Sequence, residues 1–139
     1  MKLLRTFALG LGVLLAAASS YAQETRVKGN VPFDFIVGNQ MLPAGDYSIK
    51  SLGSGSAVAI RNEDQGKASL TLTQSCRKAS AAKKTVLVFH RVGERYFLSQ
   101  IWTEGQEAGR QLPQPRAEME LAKNQKVESV VIAASILPR

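Results

Sequence analysis

His90 is the only histidine in this 139-residue chain, and Cys76 is its only cysteine. The residues that most often move protons, attack carbonyls or ligate metals are therefore scarce. A general base needs a nucleophile or an orienting acid within hydrogen-bond reach. His90 sits in the apolar run Thr85–Val92 with no such group beside it in sequence. A structural or surface role is expected for it, and catalysis would require a distant acid and a cleft. One histidine and one cysteine cannot close a zinc site. The segment Asn62-Glu63-Asp64-Gln65-Gly66 lacks the alternating oxygens and distal glutamate of a calcium loop, and it reads as a hairpin turn. Gly53-Ser54-Gly55-Ser56 precedes a strand and has no Lys-Thr pair after it, so it reads as a connector and not as a phosphate cradle. No catalytic set, metal or cofactor is expected. A hydrolase-like enzyme built on His90 is the weakest of the readings.

Binding chemistry has two candidate sets. Tyr47, Tyr96 and Trp102, with His90, could line a pocket for a small ligand, although aromatic residues in a small domain more often form the core. Arg77, Lys78, Lys83 and Lys84 form a basic loop suited to an anionic partner. Their neighbours are alanine and serine, with no aromatic residues to stack on bases, which argues against nucleic acid.

The N-terminus reads as an export signal, so the chain is expected to work outside the cytoplasm. Lys2 and Arg5 precede an apolar run from Phe7 to Ala18, and Ser20-x-Ala22 offers small residues for signal peptidase. The run is shorter than the roughly 20 residues that cross a bilayer. Residues 1–22 are read as a secretory signal peptide cut after Ala22, and residues 23–139 as one domain in the periplasm or secreted. Cleavage removes 22 of the 139 residues, leaving 117, and two of the 18 basic residues, leaving 16 against 11 acidic ones. The mature net charge is then +5. Cys76 cannot form an internal disulfide; it is expected to be buried or half-buried, with a disulfide-linked homodimer as the alternative.

The elements that must position these residues are short β-branched or aromatic runs separated by turns, the pattern of an all-β sandwich or barrel. Val31, Phe33, Phe35 and Val37 alternate onto one face of a run from Arg26 to Val37, with Pro32 at an edge or bend. Strands follow at Tyr47–Leu52, Ala57–Arg61 and Ala68–Ser75, the last with Leu70 and Leu72 opposite Thr71 and Thr73. Thr85–Val92 and Arg95–Thr103 form a hairpin around Gly93-Glu94. Its register pairs His90 with Phe97, Val88 with Ser99 and Val86 with Ile101. The other face carries Tyr96 and, opposite Thr85, Trp102. Both faces are apolar, so both need cover. The segment Pro115–Lys123 is a short helix suited to covering the outer one, with Ala117 and Leu121 stacked and Arg116 paired with Glu120. Val127–Ala134 is a final strand, placed against the first to close a barrel. The prediction is a small all-β barrel or sandwich of seven to eight mostly antiparallel strands with one short C-terminal helix. An outer-membrane barrel fits poorly, since most strands fall short of the roughly ten residues it needs.

Three segments together carry a resemblance. They are Val31-Pro32-Phe33-Asp34-Phe35-Ile36-Val37-Gly38 with Leu42-Pro43-Ala44-Gly45-Asp46-Tyr47, Phe89-His90-Arg91 with Tyr96-Phe97-Leu98-Ser99-Gln100-Ile101-Trp102, and Gly109-Arg110-Gln111-Leu112-Pro113 with Arg116-Ala117-Glu118. Over most of the mature length the chain resembles a family of small secreted bacterial proteins of unknown function. That resemblance implies export and no particular activity, cofactor or site. The functional expectation is a non-enzymatic exported module that binds an envelope component or another protein. A carrier of a small apolar ligand is the alternative.

Overall fold

The computed structural model describes residues 26–52 and 56–137. The expected signal peptide and Gly53–Gly55 of the connector lie outside the described residues. Within them the chain forms β1 (Arg26–Val31), β2 (Phe35–Val37), β3 (Gln40–Leu42), β4 (Gly45–Ser51), β5 (Ala57–Asn62), β6 (Ala68–Leu72), β7 (Gln74–Arg77), β8 (Val86–Val92), β9 (Arg95–Trp102), β10 (Ala108–Gln111), α1 (Arg116–Ala122) and β11 (Val127–Leu137). The fold is all-β with one short helix, as the sequence pattern predicts. The strand number exceeds the seven or eight expected because two runs are broken and two short strands, β3 and β10, form outside the expected runs. Pro32, which has no N–H for a ladder, ends β1 and puts a bend before β2. Thr73 separates β6 from β7; its N–H and hydroxyl both donate to Ser56 O at 2.7 Å.

The sheet runs β3-β2-β9-β8-β11-β1-β4-β5-β6, with β10 bridging β9 and β7. Because β6 leads through Thr73 into β7, the path β6–β7–β10–β9 returns to its start and makes a near-closed barrel. One ladder is missing, between β6 and β3, where Gln40 Nε2 donates to Ala68 O at 3.5 Å. The last strand, β11, lies between β1 and β8, antiparallel to both.

The barrel interior is filled by side chains. Phe35, Tyr47, Leu42, Ile60, Leu87 and Phe89 are essentially inaccessible to solvent. Phe35 meets Tyr47 and Phe89 edge-on, at centroid separations of 4.9 and 5.3 Å. A smaller cluster of Ile36, Val92 and Phe97 lies on the outer wall, where Leu121 of α1 covers it. The helix thus packs on the outer face of the β8–β9 hairpin. It does so through Glu118 and Leu121, while Ala117 is exposed and Glu120 contacts Lys123 at 3.4 Å in place of Arg116.

The hairpin register agrees with expectation from Val92↔Arg95 to Phe89↔Leu98 and then slips. A β-bulge adds Ser99 to β9, so that Val88 faces Gln100, Leu87 faces Ile101 and Val86 faces Trp102. Phe97, Leu98 and Ser99 are all buried, and Ser99 O accepts from Leu112 N at 2.8 Å. Because side chains alternate with period two, this single residue moves Trp102 from the inner face to the outer one and brings Ile101 inward. Gly93, at φ 65°, supplies the turn. Gly109 of β10 lies under the relocated Trp102, where an added Cβ would come within 2.6 Å of the indole ring. Gly109→Ala is therefore expected to destabilise the barrel by about 1–3 kcal/mol. Urea unfolding followed by Trp102 fluorescence checks this; unchanged stability would contradict the packing described.

Candidate functional site

The four proposed ligand-lining residues do not share a pocket. Tyr47 projects into the filled interior at 1% exposure, and its hydroxyl donates to Pro43 O. Tyr96 stacks on Phe33 at 3.7 Å between centroids, near the interior aromatic cluster, with Arg91 5.7 Å from its ring. Trp102 lies on the outer wall, put there by the bulge. It donates to Gln100 Oε1 at 3.0 Å, and Lys78 Nζ sits 4.2 Å from the ring centroid. His90 is also on the outer wall, opposite Phe97 and Ser129.

His90 has the acidic partner that its sequence neighbourhood lacks. Glu118, 28 residues away on α1, has a side chain only 4% exposed, and its Oε1 lies 2.6 Å from His90 Nδ1. The periodicity of the helix brings Glu118 and Leu121 to the same side, so one buried carboxylate and one buried leucine dock α1 together. Uncompensated burial of a carboxylate costs several kcal/mol, so this contact fixes where the helix sits. The pair acts as a clasp between β8 and α1.

The basic loop is tied to the 104–107 segment at two points. Ala82 is buried and exchanges hydrogen bonds with the 104–106 turn: its N–H donates to Gln106 O, and its carbonyl accepts from Gly105 N, each at 2.9 Å. Lys78 N donates to Glu107 O at 3.0 Å. Arg77, Lys78, Lys83 and Lys84 are exposed around this anchor, beside Trp102. Cys76, half-buried, faces Gly109 across the β7–β10 ladder.

A second cationic surface escapes a linear reading. On the wall formed by β1, β4, β5 and β6, the odd-numbered residues of β1 and the even-numbered residues of β5 fill the interior, leaving Arg26, Lys28, Lys50 and Arg61 on the outside. Register sets Arg26 opposite Lys50, and Lys28 opposite Ser48, which in turn faces Arg61. Four cations from three strands thus share one face. Asp46, also on this wall, accepts from Asn30 Nδ2 at 2.9 Å, and the β5–β6 turn beside it carries Glu63 and Asp64. The signal available in the sequence was at most a pair of cations at alternate positions of β1 (Arg26 and Lys28) and a single one on each of β4 (Lys50) and β5 (Arg61), and only the register joins them.

Two outcomes follow from these contacts. Glu118→Ala and His90→Ala should each destabilise the fold by about 1–3 kcal/mol, and the double variant by less than their sum, since removing either partner strands the other. Strict additivity in urea unfolding would show that the clasp does not couple them. Burial pushes the Tyr47 phenol above its ordinary range; a hydrogen bond with the Asn62 side chain pulls it partly back, and the charge of Asp34 adds to the rise. The folded state therefore favours the neutral phenol. Its contribution is fully present below the unfolded value of about 10 and is lost as pH rises through the folded one. Tyr47→Phe should cost about 1 kcal/mol at neutral pH and flatten the alkaline fall in stability. Denaturation midpoints across that range measure both effects.

Comparisons of the chain with protein-family models, with curated proteins and with solved structures find no match.

Proposed function

We propose that the protein is an exported, non-enzymatic module that binds an anionic partner in the cell envelope. The observation that carries this reading is the cationic wall of Arg26, Lys28, Lys50 and Arg61, assembled by cross-strand register on the barrel. Charges held on strands cost little further ordering on binding, unlike those of a loose tail. The export-type N-terminus and the net positive charge support the same reading. The anchored loop at Arg77, Lys78, Lys83 and Lys84 is a second contact candidate. A small-ligand carrier would need a chamber where Phe35, Tyr47 and Phe89 are packed, so the filled interior disfavours it.

The test is co-sedimentation of residues 23–139 with isolated cell-envelope fractions at low and high salt. All eleven strands, the helix and both core clusters lie within residues 26–137, so this fragment carries the whole barrel. Binding is expected at low salt, with release at high salt. Combined Arg26→Glu, Lys28→Glu and Arg61→Glu should weaken it by at least about a hundredfold. If the triple variant binds like the parent and Lys83→Glu/Lys84→Glu does not, the loop is the contact and the wall is not.

A further inference from the structure

Strand β6 is turned the wrong way for an ordinary amphipathic strand. Ser69 and Thr73 are buried, whereas Leu70 and Leu72 are 72% and 68% exposed. The cause is register. Val58 and Ile60 of β5 point inward, so Ala57 and Ala59 point outward, and these are the residues opposite Leu72 and Leu70. The two leucines therefore stand on the same outer face as the cationic wall. Across the strands, one row reads Arg26, Lys50, Ala59, Leu70, and the next reads Lys28, Ser48, Arg61, Ala68. Cations occupy the middle of the face, small residues follow, and two exposed leucines form its rim.

We propose that this face docks on an anionic lipid leaflet, with Arg26, Lys28, Lys50 and Arg61 over the headgroups and Leu70 and Leu72 entering the interface. The inference rests on the preceding reading that this wall takes an anionic partner, and it names that partner's class. Charge complementarity supplies the attraction, at roughly fivefold in affinity for each cation near the surface. A soluble polyanion would use the cations and leave the leucines in water. A lipid surface uses both, because removing leucine side chains from water is itself favourable. The exposed leucines are thus the feature that separates lipid from acidic polymer.

The experiment measures flotation of residues 23–139 with vesicles of phosphatidylcholine alone, and with vesicles that also contain phosphatidylglycerol. Dextran sulfate serves as the soluble polyanion in a parallel titration. Binding is expected only to the phosphatidylglycerol vesicles. It should fall by about tenfold or more in Leu70→Ser/Leu72→Ser, and by at least about a hundredfold in the Arg26, Lys28, Arg61 triple glutamate variant. Dextran sulfate binding should respond to the charge variant and not to the serine variant. Both leucines are exposed, so the serine variant should keep its fold, and a thermal melt verifies this. Four results overturn the proposal. Equal binding to both vesicle types or unchanged vesicle binding by the serine variant each does so. Dextran sulfate binding without vesicle binding also does so, while leaving the anionic-partner reading intact. Binding to neither vesicles nor dextran sulfate defeats both.

Discussion

The two ladders of β11 hold the barrel together. This last strand pairs with β8 from Val127↔Val92 to Ala133↔Val86 on one edge, and with β1 from Ala134↔Gly29 to Leu137↔Arg26 on the other. It joins the amino-terminal wall of β1, β4, β5 and β6 to the carboxy-terminal strands β8 and β9. Its inward residues, Val130, Ile132 and Ala134, pack against the core cluster. Such closure is non-local, since residues near the two ends of the described chain must meet. Everything else follows from it. The interior becomes enclosed, and the outer wall becomes one continuous surface on which separate strands can place charges side by side.

Enclosure also explains why β6 can present leucines to water. Each strand alternates inside and outside, and the choice between its two faces is made once, by register with its neighbour. For β6 the neighbour is β5, whose Val58 and Ile60 are fixed inside by the core. Asn62 tightens the connection, its side-chain oxygen accepting from the N–H groups of Asp64 and Gln65 at 2.9 and 2.7 Å. The turn and the β5 pattern together set the register, and the leucines lie outward as a consequence. Two exposed leucines beside a group of cations are costly for solubility, and a surface of that kind commonly marks an interaction site.

The outer wall of the hairpin shows the opposite arrangement, in which apolar groups gain their cover from within the chain. Val92 and Phe97 are shielded by Leu121, and the same helix buries Glu118 against His90. A seven-residue helix has little stability of its own. Its place depends on these two contacts, one apolar and one polar. The only histidine is thereby drawn into holding the fold.

Composition and local pattern determined the all-β class, the hairpin around Gly93-Glu94, the short helix and its seat on the hairpin's outer face, and the return of the last run to the first. These are set by near-neighbour chemistry: period-two alternation, turn glycines, and the need to cover a strand that is apolar on both sides. What the sequence by itself could not determine were the features that depend on how distant strands align. One inserted residue, Ser99, carries no local mark, yet it sends Trp102 to the outer wall and so disperses the aromatic set expected to line a pocket. Glu118 gives no hint from sequence that it will meet His90. The cations at 26, 28, 50 and 61 are ordinary solvated residues until register places them together. Tertiary structure decided these because a face, unlike a strand, belongs to several segments at once, and its composition is fixed only when the ladders between them close.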